Sequence, residues 1–304
     1  MPANKRLWGI DLGGTKIEGI VLKSHDEPEV LARTRIATEA EQGYEHVLRR
    51  IQLLINTLAK EVGSQPAIVG IGTPGSIDPH TQLLKNSNST HLNHKPFKID
   101  LEKLISIPTI IANDANCFAL AETKMGIVPE LKPDAQVVFG VIMGTGVGGG
   151  LIINGQVING HQGIAGEWGH NFLDESAGKC YCGKIGCTER VISGPSLQRY
   201  YQQISGKEAR LPEIVQLASA SDQFATQTLD RLVHFFGLGI STVINILDPE
   251  VIVLGGGVGN IDVLYNRGVE EAKKYTFNTR FDTIITKPKL GDSAGVFGAA
   301  FLTS

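Results

Sequence analysis

The sequence predicts an α/β protein of two domains that are diverged copies of one unit, and three observations lead there. A strand, a glycine turn and a second strand open the chain at residues 7–22 and recur at 137–158. Short apolar β-runs alternate with helical segments through the rest of the chain. The length, 304 residues with 42% hydrophobic and 19% charged, suits two domain cores better than one.

Leu7–Leu12 and Ile17–Leu22 are β-rich runs flanking Gly13-Gly14-Thr15-Lys16, a hairpin with Asp11 at the turn. No Gly-Lys-Ser/Thr follows and the next element is a strand, so this is not a phosphate loop of the Walker type. A further β-run near Val30–Ile36 leads to a helix over Gly43–Val62, whose Val47, Leu48, Ile51, Leu54, Ile55 and Leu58 fall on one face and are predicted core. Ala67–Ile71 is a short buried strand that ends in the turn Gly72-Thr73-Pro74-Gly75-Ser76. The stretch KNSNSTHLNHKPF, Lys85–Phe97, is dense in amide, hydroxyl and imidazole groups without apolar periodicity. It reads either as a solvated loop or as a wall that hydrogen-bonds a polyol. Thr109–Ala112 is an apolar strand entering Asn113-Asp114-Ala115-Asn116, and Cys117–Met125 has helical character. A carboxylate there lies where open α/β sheets bind ligands; on the blander reading Asp114 caps the helix.

The second half opens with the strand Val137–Met143 and the glycines Gly144, Gly146 and Gly149, which satisfy a dinucleotide-binding pattern. That pattern needs a helix next, whereas Leu151–Ile158 is a β-run with an Asn-Gly turn, so a dinucleotide fold is rejected. Two such glycine hairpins suit the gripping of a polyphosphate. Ser196–Ile246 is mainly helical, with a long apolar-periodic segment over Ala225–Leu247. Val251–Leu254 is a buried strand ending in Gly255-Gly256-Gly257, ahead of a helical Ile261–Tyr275, so backbone amides there could meet an anion or nucleotide. The chain closes on Gly291–Gly295 and a short apolar helix.

Between Gly166 and Glu189 lie three of the four cysteines, Cys180, Cys182 and Cys187, with His170 ten residues before the first. Three thiols and an imidazole make a closed tetrahedral set that suits a structural Zn²⁺. Gly178, Gly183 and Gly186 let so short a chain curl around one ion. The alternative, a disulfide, is disfavoured because cysteines one residue apart bridge poorly. Glu167 and Glu189, at the edges of the stretch, suggest that the clip shapes a polar pocket, with the second ring nitrogen of His170 aimed at a substrate hydroxyl.

A net charge of −3 and a pI near 6.2 give no electrostatic footprint for nucleic acid. No apolar signal region and no run of roughly 18 uninterrupted apolar residues is present, so a soluble cytoplasmic protein is expected, without a membrane partner. The 36 glycines cluster at 13–14, 70–75, 144–150, 160–169 and 255–259, a pattern that suggests backbone approaching ligand.

IDLGGTK at the start, NDAN at 113–116, IMGTGVGGG at 142–150, GEWGH at 166–170, CYCGKIGC at 180–187 and VIVLGGG at 251–257 occur in the order seen in the ROK family of bacterial sugar kinases, which the chain resembles nearly end to end. Within that family KNSNST followed by HLN and PF is most similar to fructokinases that also accept mannose, although His91 stands where a Trp is expected.

The resemblance implies a duplicated actin/hexokinase-like (ribonuclease H-like) fold, with ATP and sugar meeting in a cleft between a domain of 1–118 plus 291–304 and one of 119–290. It implies Asp114 as general base for transfer to a hexose, D-fructose to fructose 6-phosphate before N-acetylglucosamine, N-acetylmannosamine or glucose. Asn88, Asn113, Asp114, Glu167, His170 and Glu189 would hold the sugar. Mg²⁺ would be oriented by Asp11, the phosphates held by Gly13, Gly14, Thr15, Lys16, Gly144, Thr145 and Gly146, and the base or ribose lined by Gly255, Gly256 and Gly257. Zinc on His170, Cys180, Cys182 and Cys187 would be structural, Cys117 a small buried hydrophobe, and the assembly a homodimer. A sugar-responsive transcriptional regulator of the same family would need a helix-turn-helix ahead of Leu7, and a zinc hydrolase would need an open metal position that His-Cys₃ ligation denies.

Overall fold

The computed structural model describes residues 5–304; the first four lie outside it. β1 (Leu7–Leu12) and β2 (Lys16–Leu22) form the expected antiparallel hairpin, with Leu7 opposite Leu22 and Asp11 opposite Glu18. β3 (Val30–Ala37) extends β2 as a solvated edge. α1 (Tyr44–Val62) buries all six of its predicted core residues and stops at Gly63, whose φ of 67° makes a left-handed C-cap. β4 (Val69–Thr73) starts two residues later than the sequence suggested, because its ladder to the neighbouring strand begins at Val69 opposite Thr109. A two-stranded ribbon of β5 (Ser76–Ile77) and β6 (Leu84–Lys85) follows, then α2 (Phe97–Ile105), β7 (Thr109–Asn113), α3 (Asp114–Lys124) and the single turn α4 (Val128–Leu131). The first sheet has the order β3-β2-β1-β4-β7.

β8 (Val137–Met143) leads through Gly144-Thr145-Gly146 into β9 (Val147–Ile153), so a strand and not a helix follows the glycines. β9 reverses at Asn154 and Gly155, with φ of 51° and 71°, into β10 (Gln156–Val157); two positive φ values in a two-residue loop are the hairpin turn that Asn-Gly favours. After the cysteine loop come α5 (Thr188–Ile192), α6 (Gly194–Ser205), α7 (Leu211–Ser219) and α8 (Gln223–Leu247). β11 (Val251–Gly255), the short α9 (Gly256–Gly259), α10 (Arg267–Tyr275), β12 (Ile284–Thr286) and α11 (Ala294–Phe301) complete the chain. β11 runs parallel to β8 on one side and β12 on the other, within a sheet of order β10-β9-β8-β11-β12. α8 has a mean hydropathy of 1.2 over its most apolar 18 residues, half of them buried; it packs against α6, α7 and α10 as a core helix.

The chain divides into two compact units: residues up to Glu130 with 150–165 and 289–304, and residues 131–149 with 166–288. A boundary at 118/119, as the resemblance implied, would cut α3, which packs along α11 inside the first unit. The returning chain is anchored there by Glu122, a fully buried carboxylate that accepts from the amides of Ile127 (2.9 Å), Lys289 (3.0 Å) and Leu290 (2.9 Å). Three backbone donors compensate the burial of its charge.

α11 lies against β1 and β4 on one side and α3 on the other, and it can do so only because the contacts lack side chains. A Cβ on Gly70 would sit 1.8 Å from the Ala299 carbonyl oxygen, and one on Gly298 would sit 1.7 Å from that of Cys117. Part of the glycine surplus therefore serves helix packing, not ligand approach as the clustering suggested.

Candidate functional site

In the first unit the residues of interest gather at the ends of β1 and β7. Asp11, the penultimate residue of β1, has its carboxyl pushed up to about 7; burial is the main cause, with the charges of Asp114 and Glu18 adding to it and those of Lys16 and Arg35 opposing. Gly295, at the start of α11, leaves room for it, since a Cβ there would lie 2.9 Å from Asp11 Oδ2. Glu18 is buried beside Asp11 and takes Arg33 Nε on one oxygen (2.6 Å) and Arg35 Nη2 on the other (2.7 Å). Burial alone would raise its pKa, but the two guanidiniums outweigh it and hold the carboxyl below its usual value.

The glycine turn beyond β1 is closed by Gly13 N–H donating to Lys16 O (3.0 Å) and is tied down by Thr38, whose hydroxyl donates to Gly13 O (2.8 Å). Gly14 faces Ser89, whose Oγ would lie 3.6 Å from a Cβ built there, so this turn and the Lys85–Phe97 stretch are neighbours. That stretch is ordered by Asn93, which accepts from Ser87 N (2.9 Å) and donates to Ser87 O (2.8 Å), a role its composition did not reveal. Asn88 is exposed beside it, and His91 Nε2 and Ser76 Oγ are buried without a hydrogen-bond partner.

The residue that caps α3 is Asn113, accepting from Ala115 N at 2.8 Å, while Asp114 is the first helical residue with Oδ1 also 2.8 Å from that amide. Cys117, one turn on, is fully buried, and burial followed by the charges of Asp11 and Asp114 raises its thiol well above the usual range. Burial and a raised thiol pKa both disfavour the reactive thiolate there.

In the second unit the Gly144 N–H donates to Gly146 O (2.9 Å), and Gly194 N–H at the start of α6 donates to Gly144 O (2.9 Å). A cavity of about 990 Å³ runs from this turn past α6 and α7, lined by Gly144, Thr145, Gly194, Gln198, Gly257 and Asn260 among others. Its volume is at the upper end of the ~300–1,000 Å³ typical of small-molecule sites. Three of the nucleotide glycines expected in this unit, Gly146, Gly255 and Gly256, are absent from that lining. Gly146 instead makes way for Glu189, whose Oε2 would be 2.6 Å from a Cβ there, Gly255 ends β11, and Gly256, φ 80°, turns against the Met143 backbone. Gly194 and Pro195 do line it; their signal was the proline at a helix start after Val191-Ile192-Ser193.

His170 and the three cysteines converge, with their donor atoms all within 4.8 Å of one another. His170 Nδ1 is 3.7 Å from Cys180 Sγ, and Cys182 Sγ is 3.5 Å from Cys187 Sγ, far too long for a disulfide. Tetrahedral ligation at a Zn–S length of about 2.3 Å separates sulfurs by roughly 3.8 Å, so these residues fit zinc. Gly178, Gly183 and Gly186 all have positive φ, as a loop this tight requires. The second nitrogen of His170, expected from sequence to face a substrate hydroxyl, lies 3.0 Å from the Tyr181 hydroxyl. Glu189 Oε2 accepts from Val147 N (3.0 Å), joining the loop to the glycine turn. Glu167 lies in a half-buried position where burial, opposed by His170 and reinforced by Glu189, raises its carboxyl above the usual range.

The family model described as "ROK family" matches residues 7–304. An N-acetyl-D-glucosamine kinase of Pasteurella multocida (strain Pm70) is 36% identical, over 97% of this chain and 98% of its own. The ROK hexokinase of Thermus thermophilus has a similar structure, with a TM-score of 0.87 and 29% identity over 98% of this chain and 97% of that one. A ROK family glucokinase from Streptomyces griseus, solved with glucose and AMPPNP, has a TM-score of 0.76 and 26% identity over 98% of both chains. The fold is thus the actin/hexokinase-like α/β fold in two domains, and the chain belongs to the ROK family.

Proposed function

We propose that this protein is a cytoplasmic kinase that transfers the γ-phosphoryl group of ATP to a hexose, with N-acetyl-D-glucosamine as the first candidate acceptor. The observation that carries the reading is the carboxylate pair of Asp11, near the end of β1, and Asp114, just beyond β7 on the far side of β4, close enough for the charge of Asp114 to add to the burial that raises the pKa of Asp11. Asp114 takes the proton of the attacking sugar hydroxyl; the new O–P bond forms as the bond to the β-phosphate oxygen breaks and ADP leaves. Hydrogen-bonding Oδ1 to Ala115 N fixes the carboxylate on a rigid helix start, so little reorientation is needed at the moment of transfer.

Asp11, with Asp114 and Glu18 as acidic neighbours in a buried setting, is a group that a divalent cation favours. Mg²⁺ held there would neutralise charge on the phosphoryl oxygens. In the second unit the turn at Thr145 is the candidate for holding phosphates, and the cavity along α6, α7 and Gly257 takes the nucleoside; in the first unit the turn Gly14-Thr15-Lys16 is the corresponding candidate. Zinc on His170, Cys180, Cys182 and Cys187 would clamp the loop between Glu167 and Glu189 and leave no position open for chemistry.

The sugar-holding groups retain capacity for that task. Asn113 uses its carbonyl oxygen on Ala115 and keeps its NH₂, Glu189 uses one carboxylate oxygen on Val147 and keeps the other, and Asn88 is exposed. The acetamido sugar is supported by N-acetyl-D-glucosamine kinases 34–36% identical over 97% of the chain. A second reading, D-fructose to fructose 6-phosphate, is favoured by the KNSNST stretch and its fructokinase-like sequence. A coupled ADP-release assay over N-acetylglucosamine, N-acetylmannosamine, glucose, mannose and fructose separates the two. The first reading expects N-acetylglucosamine to give the highest kcat/KM; fructose at the top selects the second; no sugar-dependent ADP release with any hexose refutes both.

A further inference from the structure

The zinc loop carries an aromatic residue between two of its ligands, and that residue reaches back to a third. Tyr181 stands between Cys180 and Cys182, with its ring edge-on to His170 at 5.2 Å between centroids and its hydroxyl 3.0 Å from His170 Nε2. The opposite nitrogen, Nδ1, is the one turned to the thiols, 3.7 Å from Cys180 Sγ. Tyr181 is nevertheless 80% exposed, so it fills no core. An exposed tyrosine whose hydroxyl meets a candidate ligand histidine has a job for the oxygen that packing does not explain.

A neutral imidazole carries one proton, and only the nitrogen without it can bind a metal. If the proton sits on Nδ1, the nitrogen facing the thiols is blocked. A hydrogen-bond acceptor at Nε2 favours the other tautomer, keeps the ring from turning about its Cβ–Cγ bond, and makes the ligating nitrogen more basic. We propose that Tyr181 is a positioning residue of the zinc loop: its oxygen accepts the Nε2–H of His170 and so delivers Nδ1, unprotonated, to the ion. The proposal rests on the reading of this cluster as a zinc site, and not on the identity of the sugar.

Tyr181→Phe removes the oxygen and keeps the ring. Zinc affinity of the whole protein, measured by competition with a chromogenic chelator, is expected to fall about 10- to 100-fold, the usual cost of losing a partner hydrogen-bonded to a ligand histidine. In the zinc-loaded wild type, ¹⁵N-labelled histidine should show a slowly exchanging Nε2–H on His170 that is lost in Tyr181→Phe, with melting of the two loaded proteins little changed. Tyr181→Ala should match Tyr181→Phe in zinc affinity. If Tyr181→Phe holds zinc as tightly as wild type while Tyr181→Ala does not, the ring and not the oxygen matters and the proposal is overturned. A wild type that binds no zinc would sink the zinc reading itself, an outcome distinct from equal affinities in wild type and Tyr181→Phe.

Discussion

Asp11 and Glu18 stand directly opposite each other on β1 and β2, two carboxylates on one face of a hairpin, and two guanidiniums hydrogen-bond Glu18. Glu18 is gripped by Arg33 and Arg35 on β3, whereas Asp11 lies next to Asp114 and is pushed up to about 7. The division of labour is physical: the two guanidiniums hold Glu18 ionised, while burial, with the charges of Asp114 and then Glu18 adding to it, keeps Asp11 partly protonated near neutral pH.

That shift makes stability pH-dependent. The folded-state value of Asp11 lies above the ordinary aspartate value of 3.8, so the folded form binds the proton more tightly than the unfolded form does. Its contribution is fully present below about pH 4 and is lost as pH rises through about 7. At about 1.4 kcal/mol per unit the loss amounts to at most about 4 kcal/mol. Urea melts between pH 5 and 8.5 should show Asp11→Asn less sensitive to pH than wild type and more stable than it at the alkaline end. Addition of Mg²⁺ and nucleotide at pH 7 should release protons from wild type and not from Asp11→Asn, as calorimetry in buffers of different ionisation enthalpy would show.

Asp114→Asn keeps an oxygen for the Ala115 amide, so α3 should start as before. What it removes is the proposed proton acceptor, and kcat should fall by about 10²–10⁴ with hexose affinity retained. Calorimetric loss of hexose binding with near-normal residual turnover would instead make Asp114 a binding or capping residue.

Packing glycines and pocket glycines should behave oppositely. Gly298→Ala drives a methyl into the Cys117 carbonyl and should cost more than about 3 kcal/mol or prevent folding, because backbone on both sides must move. Gly257→Ala meets nothing within 4 Å, so its melting temperature should stay near wild type while KM for ATP changes, since Gly257 lines the cavity. Thermal melts and steady-state kinetics on both variants check the pair.

The contrast shows what the sequence made legible. Hairpin β1–β2, the helix face of α1 and the strand after Gly146 follow from periodicities of two and 3.6 residues, and the cysteine loop from donor type and spacing. Local pattern could not say that Gly70 and Gly298 serve α11, which is more than two hundred residues from Gly70 in the chain. Nor could it pair Glu18 with Arg33 and Arg35, give Glu122 the amides of Lys289 and Leu290, or turn Glu189 toward Val147. Each of these partners is set by the fold, and a polar residue in sequence offers the same hydrogen-bonding groups whether it meets a ligand or a distant amide.

The tie from Glu189 to Val147 changes what zinc removal should do. From sequence the loop shapes only an acidic pocket, so losing the ion would leave nucleotide binding alone. In the structure Cys187 is the N-cap residue of α5, Glu189 lies in its first turn, and Glu189 Oε2 holds the amide that follows Gly144–Gly146, while Gly194 just beyond α5 holds Gly144 O. Releasing Cys187 from the ion should therefore loosen both the Glu167–Glu189 edge and the glycine turn that lines the cavity. Cys182→Ala removes an exposed ligand and leaves the buried Cys187 in place, so the fold has the best chance of surviving. Metal content should drop, and KM should rise for sugar and, by a smaller factor, for ATP. Thermal stability should also fall, since the free energy of structural zinc binding, about 10–16 kcal/mol in small zinc peptides, is coupled to folding. Measuring metal content, both KM values and melting on one preparation decides the matter: a metal-free variant with unchanged KM for sugar would show that the ion has no hold on the pocket, and one with only the ATP value unchanged would show that the Glu189–Val147 bond does not transmit its loss.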